Sequence, residues 1–191
     1  ISAGREWHPQ SPSDRWTDAI HSEDGASLLR ELEQAQFSRL DAWGRTTSGI
    51  VTGANSFFTM TSDEAKIRGL TRHQLIPILP AGTSFTSRAS FSLRDWETTV
   101  RTRPGFLFAP AALTGDALRY IARGEDQGLD MRYKCRIRSP WWRVPLTTPP
   151  DLFVSYMSGS TPRIVSNRAK VLNLNSVHGL RVQPHLRSLA Q

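Results

Sequence analysis

The segment 131–143, MRYKCRIRSPWWR, concentrates side chains that can bind a polyanion and contains no carboxylate. Four cations alternate with apolar residues: Arg132, Lys134, Arg136 and Arg138 with Met131, Tyr133, Cys135 and Ile137. Because side chains on a β-strand alternate between two faces, we predict a strand with the cations on one face and the apolar set facing the core. Like charges about 7 Å apart repel unless anions neutralise them. The row therefore predicts a nucleic-acid surface; the alternative is a solvated sheet face or one paired with acids of another strand.

Trp141 and Trp142 follow this row directly, and Arg143 follows them. A tryptophan beside cations can stack on bases or contact sugars, whereas a tryptophan doublet can equally serve as core and lid. Adjacent side chains of an extended segment point in opposite directions, so at most one of the two faces a ligand. We assign that position to Trp142.

Three other polar positions could contact nucleic acid. The stretch 52–56, TGANS, could present backbone amides to a phosphate and the Asn55 amide to adenine. Its alternative meaning is a glycine turn with a helix-capping asparagine. Asn173 and His178 could line a polar edge. Alternatively, Asn173 could cover the outer face of a strand, and His178 could be a structural hydrogen-bonding group.

Enzymatic sites are missing from the sequence. Pro150-Asp151 supplies the first half of a restriction-nuclease motif, but no acidic residue follows Asp151, so the motif cannot be completed. Metal-ligand clusters with useful spacing and a nucleotide-binding strand with a Gly-rich turn are not evident either. We therefore assign no catalytic residue, metal or cofactor to this chain itself.

Charge is segregated along the 191 residues, whose net charge is +7. Residues 1–35 hold three basic and seven acidic side chains, and residues 36–191 hold 21 and 10. A basic domain attracts polyanions, most commonly DNA or RNA. Only three of the 24 cations are lysines; an arginine-rich coding bias would explain that ratio but not the segregation.

Composition also predicts where the protein works. Mean hydropathy is −0.39, and no apolar run approaches the roughly 18 residues needed to cross a bilayer, so we expect no membrane association. The single cysteine, Cys135, fits a reducing compartment, and we expect the cytoplasm. The chain starts at Ile1 without a signal-like segment, which suggests a piece of a longer protein.

The elements that must position these residues suggest an α+β class with a strand-rich C-terminal half and a few short helices. Residues 1–22 have no clear periodicity, and an amphipathic helix is predicted over 23–40. We predict a helical lead-in or linker over 1–45 and the main domain over 46–191. Within that domain, 48–60 suggests strand, turn, strand.

Local signals place further elements. Thr61 and Glu64 have capping-box spacing for a helix that runs to about Gly69. Residues 106–108 predict a short buried strand. Thr114 can cap a helix that ends near Gly124 and buries one side. That side is formed by Leu118, Ile121 and Ala122. The runs DLFVSYM and PRIVSN predict strands, with a turn around 168–170.

Taken together, these segments resemble the C-terminal target-recognition region of N6-adenine DNA methyltransferases of the TaqI class, which belong to restriction-modification and phage-defence systems. The matching pieces occur in the expected order: GIVTGANSFF, LRYIARGEDQG, YKCRIRSPWWRVP, PDLFVSYM, PRIVSN and NLNSVHGL. In that family an N-terminal domain binds S-adenosylmethionine and carries an Asn-Pro-Pro-Tyr type motif for the flipped adenine. The only Pro-Pro pair here, Pro149-Pro150, lies between Thr148 and Asp151, so the methyl-transfer machinery is expected outside this chain.

The resemblance implies that the chain binds double-stranded DNA for a missing N-terminal methyltransferase domain, with a restriction or defence-system subunit as a further possible partner. The parent would be a site-specific, adenine-specific methyltransferase using S-adenosylmethionine. The residues implied in backbone contact are Arg132, Lys134, Arg136, Arg138 and Arg143, and those in base or groove contact are Asn55, Arg163, Asn173 and His178. The alternatives are a free-standing basic RNA- or single-strand-binding module and, third, a nuclease with an unrecognised site.

Overall fold

The structure is a computed structural model that describes residues 23–34, 37–80, 89–155 and 163–190. The chain divides into two compact units, Ile1–Trp43 and Gly44–Gln191. Gly44 begins the first strand of the second unit. The irregular lead-in predicted for 1–22 lies outside the described residues. In the described ranges, none of the helices combines the length and the apolar character that crossing a bilayer requires.

The first unit contains two described helices, α1 (Glu23–Gln34) and α2 (Leu40–Trp43). The predicted amphipathic helix is confirmed over Glu23–Gln34, but residues 37–39 are not helical. The side chain of Phe37 is 68% exposed, so no burial holds this stretch in the helical register that we predicted.

The second unit contains two sheets and short helices, which confirms the α+β class. Five strands form the first sheet in the order β1-β8-β6-β7-β4, with β4 and β7 parallel and the other pairs antiparallel. They are β1 (Gly44–Thr47), β4 (Ser90–Phe91), β6 (Leu152–Val154), β7 (Ile164–Asn167) and β8 (His178–Val182). The predicted strands in DLFVSYM and PRIVSN are confirmed at β6 and β7; residues 156–162 lie outside the described ranges.

Three short strands form the second, antiparallel sheet in the order β2-β5-β3. They are β2 (Thr59–Met60), β3 (Leu75–Pro77) and β5 (Phe106–Phe108), and β5 is the predicted buried strand. The helices of this unit are α3 (Asn55–Phe58), α4 (Ser62–Ile67), α5 (Leu93–Thr99), α6 (Gly115–Asp126) and α7 (Tyr133–Arg136), followed by a 3-10 helix, Pro184–Ala190.

Two apolar clusters hold these elements. The larger one joins the three-stranded sheet to α3, α4, α6 and α7, and Phe58, Met60 and Phe108 are fully buried in it. The smaller one joins the five-stranded sheet to α5 through Phe91, Trp96 and Phe153. The helices that carry the larger cluster also position the basic segment.

The predicted helix caps are confirmed. The Thr61 hydroxyl accepts a hydrogen bond from the Glu64 amide at 3.2 Å, and the Glu64 carboxylate accepts one from the Thr61 amide at 2.7 Å. The Thr114 hydroxyl accepts from the Ala117 amide at 3.3 Å. Caps of this kind satisfy amides that a helix leaves without partners, using residues only three positions apart.

The prediction of a strand at 131–138 is wrong. Residues 133–136 form the single helical turn α7, and only Cys135 of the apolar set is buried. Met131, Tyr133 and Ile137 are 71%, 63% and 61% exposed. A strand with two opposed faces needs a neighbouring strand, and this segment pairs with none in the described part of the chain. A single helical turn instead buries one of its three or four residues, and in α7 that residue is Cys135.

Two other local predictions are corrected. Instead of strand, turn, strand over 48–60, Ile50 forms one isolated bridge to Leu174, and Asn55–Phe58 is helical before β2. The adjacent Phe57 and Phe58 are both buried, whereas a strand would place them on opposite faces.

The buried face and the end of α6 also differ from the prediction. The buried residues are Ala117, Tyr120, Ile121 and Gly124. Leu118 is 52% exposed, because the helix is oriented by the Tyr120 ring stacked on Phe57 at 4.5 Å between ring centroids. The helix continues past Gly124 to Asp126, and a Cβ at Gly124 would lie 2.5 Å from Trp141 Cη2. This glycine therefore allows a close approach of Trp141 rather than ending the helix.

Candidate nucleic-acid interface

The basic segment, residues 131–143, forms an exposed surface around α7. Arg132, Lys134, Arg136 and Arg143 are all exposed, and Arg138 is half-buried. The ammonium of Lys134 and the guanidinium of Arg136 lie 5.4 and 5.9 Å from the centroid of the Tyr133 ring. Cations and the exposed Tyr133 ring therefore share one face, rather than separating into a charged face and a buried apolar face.

The cations of the basic segment have no carboxylate partner within the described residues. The ion pairs found there join other residues: Arg39–Asp41, Lys66–Asp63, Arg68–Glu64, Arg119–Asp116 and Arg187–Asp151. The exposed cations Arg132, Lys134, Arg136 and Arg143 are therefore left to solvent and counterions. A polyanion that replaces those counterions gains their release as a favourable entropy.

Arg138 has a different role from the other four cations. Its guanidinium donates hydrogen bonds to the carbonyl oxygens of Thr52, at 2.8 Å, and of Val51, at 2.7 Å. Two guanidinium donors are therefore engaged with residues 51–55, the loop that leads into α3 at Asn55. We therefore assign Arg138 to positioning this loop rather than to the phosphate contact predicted for it.

The loop 51–55 fits against α7 because of Gly53. Gly53 has φ +84°, which favours glycine, and a Cβ there would lie 2.7 Å from the Lys134 Cβ. On the same side, the Cys135 thiol lies 3.9 Å from the Thr52 carbonyl oxygen. The structure thus joins two segments that sequence reasoning had singled out separately.

Asn55 lies exposed at the start of α3, two residues after Gly53, which packs closely against Lys134. Its carboxamide oxygen accepts a 2.5 Å hydrogen bond from the Thr52 hydroxyl, which in turn accepts one from the Ala54 amide at 3.1 Å. This arrangement fixes the carboxamide orientation and directs its oxygen toward the loop. The amide NH₂ remains as the donor group that a ligand can meet.

The tryptophan doublet is anchored on the core. The Trp141 indole N–H donates to the Glu125 carboxylate at 3.0 Å, and its ring lies 5.7 Å from that of Phe57. Trp142 is half-buried against the same apolar cluster, with the Arg143 guanidinium 5.6 Å from its ring centroid. Trp142 therefore supports Arg143, and neither indole is a freely presented stacking platform.

Asn173 lies in the interior at 1% exposure, where it cannot meet a ligand in a groove. Its side-chain NH₂ donates to the Val177 carbonyl oxygen at 2.6 Å. Its main-chain carbonyl accepts from the Ile50 amide at 2.8 Å. Asn173 therefore joins two loops through these hydrogen bonds, and we do not assign it a DNA contact.

Arg163 and His178 lie together at one end of the five-stranded sheet. Arg163 is exposed, and its amide donates to the Ser155 hydroxyl at 2.8 Å. Ile164 and His178 are both register partners of Val154. His178 is half-buried at the start of β8. Arg163 precedes β7 and His178 begins β8, the two strands that flank β6, so both lie at the same end of the sheet but on different elements from Asn55 and α7.

Cys135 is the fully buried residue of α7 and is not a candidate nucleophile. Burial raises the pKa of its thiol above the ordinary value, and the nearby Arg138 and Arg132 lower it by less than that. A protonated, inaccessible thiol is unreactive. In the same described ranges, no group of three or more His, Cys, Asp or Glu residues is arranged to hold a metal ion.

Comparison with known proteins gives two findings. Residues 13–190 match the family described as the C-terminal domain of the type II methyltransferase M.Eco57I. The chain is also similar to the type II methyltransferase M.AccI of Acinetobacter calcoaceticus, with 29% identity over 142 residues. That alignment covers 71% of this chain but 25% of M.AccI, so the chain spans about a quarter of the length of this relative.

Proposed function

Because the chain belongs to the family of the M.Eco57I C-terminal domain, we propose that it is the DNA-recognition domain of a longer, adenine-specific DNA methyltransferase. The observation that carries this proposal is the acid-free basic segment on an exposed turn beside Asn55. The remaining steps follow from the chemistry of that surface.

Phosphate contact is the first task of the surface. Arg132, Lys134, Arg136 and Arg143 are exposed and lie beyond 4 Å of any described carboxylate. Their side chains can therefore neutralise phosphates without first breaking an ion pair. Contacts of this kind position a protein on a duplex and make its affinity fall steeply with salt, but they do not read sequence.

Base contact is the second task, and Asn55 is the candidate within reach of the same surface. An asparagine amide can form paired hydrogen bonds to the N6 and N7 edge of adenine in the major groove. Arg138 and Gly53 hold the Asn55 loop against α7. Arg163 and His178, at the end of the five-stranded sheet, are further candidates for groove contact.

A duplex partner fits this surface better than a single strand. Proteins that bind single strands without sequence preference present aromatic rings on which bases stack. Trp141 is fixed by Glu125 and the core, and Trp142 is half-buried under Arg143. The exposed ring of this surface is Tyr133, so single-strand binding is the outcome to test against.

Methyl transfer itself belongs to the part of the parent protein that this chain does not cover. We propose that the parent uses S-adenosylmethionine, acts in restriction-modification or phage defence, and methylates adenine N6. The domain would hold the duplex while the target adenine is rotated into the catalytic domain. Mapping methylated adenines in the host genome with and without the parent gene tests this part of the proposal.

DNA binding is tested by replacing Lys134 and Arg136 together with Ser. Both side chains are exposed, so the fold should be preserved. We expect weaker binding to a short duplex in fluorescence anisotropy, and a plot of log affinity against log salt that is flatter by about two units.

The matched control replaces Arg94 and Arg101, two exposed cations at and just beyond α5, with Ser. Equal charge is removed, so a general loss of electrostatic attraction would affect both variants alike. The interface proposal predicts the larger change for the Lys134/Arg136 variant. Equal salt slopes in the two variants would reject it, and tighter binding to a single strand than to the duplex would favour the alternative.

A further inference from the structure

A second cationic site lies between α4 and α6. It is a pocket of about 240 Å³. The residues that line it are Lys66, Ile67, Arg68, Gly69, Asp116, Arg119, Tyr120 and Arg123. Four of these side chains are cations and one is an anion, so the lining residues carry a net positive charge. None of these residues belongs to the basic segment around α7.

The ion pairs around the pocket leave donors available. Arg119 pairs with Asp116, Arg68 pairs with Glu64 at 3.4 Å, and Lys66 pairs with Asp63 at 3.2 Å. Within the described residues, Arg123 has no ion pair or side-chain hydrogen bond. Arg68 Nη1 is buried and has no hydrogen-bond partner there either. Arg123, by contrast, is exposed, so all of its donors are available to an anion.

Tyr120 forms a wall of the pocket and is not a ligand. Its hydroxyl donates to the Phe57 carbonyl oxygen at 2.6 Å, and its ring lies 5.4 Å from the Arg68 guanidinium carbon. The phenol is therefore already engaged. What the pocket offers is a set of guanidinium and ammonium donors over an aromatic wall.

We propose that this pocket binds a phosphate-class oxyanion. Guanidinium groups present paired N–H donors that match the oxygens of a phosphate, and a tetrahedral anion can contact several cations at once. The volume is below the roughly 300–1,000 Å³ of pockets for drug-sized ligands, so it suits a single anionic group. The source of that group is either a phosphate of the DNA backbone or a free phosphate ion.

The test is a titration of the protein with inorganic phosphate in chloride buffer at constant ionic strength, followed by the ³¹P chemical shift. We expect saturable binding that weakens about tenfold in Arg123→Gln, because one charged donor is lost. Arg123→Lys should bind with intermediate affinity. The matched control is Arg94→Gln, which removes an exposed arginine that does not line the pocket and should bind phosphate like the wild type.

A second arm identifies the source of the anion. If a short duplex displaces bound phosphate, the pocket holds a backbone phosphate; if phosphate stays bound beside the duplex, it is a free-anion site. Absence of saturable phosphate binding in the wild type would overturn the proposal, as would unchanged affinity in Arg123→Gln. The phosphate titration does not depend on DNA binding at α7, so the two proposals can fail separately.

Discussion

Asn55 and Asn173 carry the same side chain in two regions with opposite surroundings. Asn55 is exposed beside the basic segment, with its carboxamide oxygen held by Thr52. Asn173 is 1% exposed and donates to a main-chain carbonyl. The first can meet a ligand, whereas the second satisfies the backbone of a buried loop.

The contrast extends to the neighbours of each asparagine. Around Asn55 the cations have no described carboxylate partners, and the apolar side chains of Val51, Met131, Tyr133 and Ile137 remain exposed. Around Asn173 the chain is closed: Asn167 is also buried, and its amide binds the carbonyl oxygens of Pro150 and Val171 at 2.8 and 2.9 Å. Thus Asn167 and Asn173 use their amides to hold the fold, and the α7 region presents its cations outward.

The largest effect should come from breaking the buried region with Asn173→Ala. The substitution leaves the Val177 carbonyl oxygen without its 2.6 Å donor, so the free energy of unfolding should fall by about 2 kcal/mol. Urea denaturation measures this. Asn175→Ala, two positions away and exposed, is the control and should change stability by less than about 0.5 kcal/mol. Similar losses in the free energy of unfolding for both variants would contradict the stabilising role of the buried Asn173.

Gly53→Ala should act at the junction of loop and helix. Its φ of +84° strains alanine, and the added Cβ meets Lys134 Cβ at 2.7 Å, so we expect a loss of about 2 kcal/mol. Gly128→Ala has a similar φ of +65° but no atom within 4 Å, and should lose only about 1 kcal/mol. Thermal or urea unfolding of both proteins compares them. If Gly128→Ala is the more destabilising, the loop is not seated against α7 as described.

Arg138→Ala should separate positioning from charge. It removes two hydrogen bonds to the carbonyl oxygens of Val51 and Thr52, and we expect stability to fall by about 1.5 kcal/mol. Discrimination between DNA sequences should fall with it, because the Asn55 loop is released. Arg136→Ala removes the same charge from an exposed position, and should flatten the salt slope while preserving stability. Urea titrations measure the stability, and anisotropy titrations measure the salt slope. The division of roles would be contradicted if Arg136→Ala lost stability while Arg138→Ala only flattened the salt slope.

Tyr120→Phe should have the smallest effect, and the effect depends on pH. Loss of the hydrogen bond to the Phe57 carbonyl oxygen should cost about 1 kcal/mol at neutral pH. Burial is the main cause that raises the pKa of Tyr120 above 10.0. A raised folded-state pKa gives stability that is present below pH 10 and lost as the pH rises. The difference between wild type and variant should therefore narrow above pH 10 in urea titrations; a constant difference would contradict it.

Local chemistry could be predicted from the sequence, and long-range contacts could not. The Thr61 capping box depends on residues three apart and was predicted correctly. The alternation of 131–138 suggested a strand, but the outcome depended on which elements lie nearby. Arg138 bonds to Thr52, 86 positions away, and Trp141 fits against Gly124. Neither contact has a signature within its own segment.

The same limit applies to the site residues. The clustering of cations in 131–143 is visible in the sequence, and so is the absence of acids. What separates Arg138 from Arg136 is a pair of carbonyl oxygens on a distant loop, and what separates Asn173 from Asn55 is burial. Residue type alone therefore located the surface, while the structure decided which members of it face outward.

The chain contains three lysines, and they provide the most direct measurement of the central claim. Lys134 lies on α7, Lys66 lines the anion pocket, and Lys170 lies elsewhere; all three are exposed. Lysine acetylation, quantified by mass spectrometry with and without duplex DNA, reports on each one in the same sample. We predict that duplex DNA protects Lys134 and leaves Lys170 as reactive as in the free protein. Unchanged acetylation of Lys134 at saturating duplex would contradict DNA binding through the α7 surface.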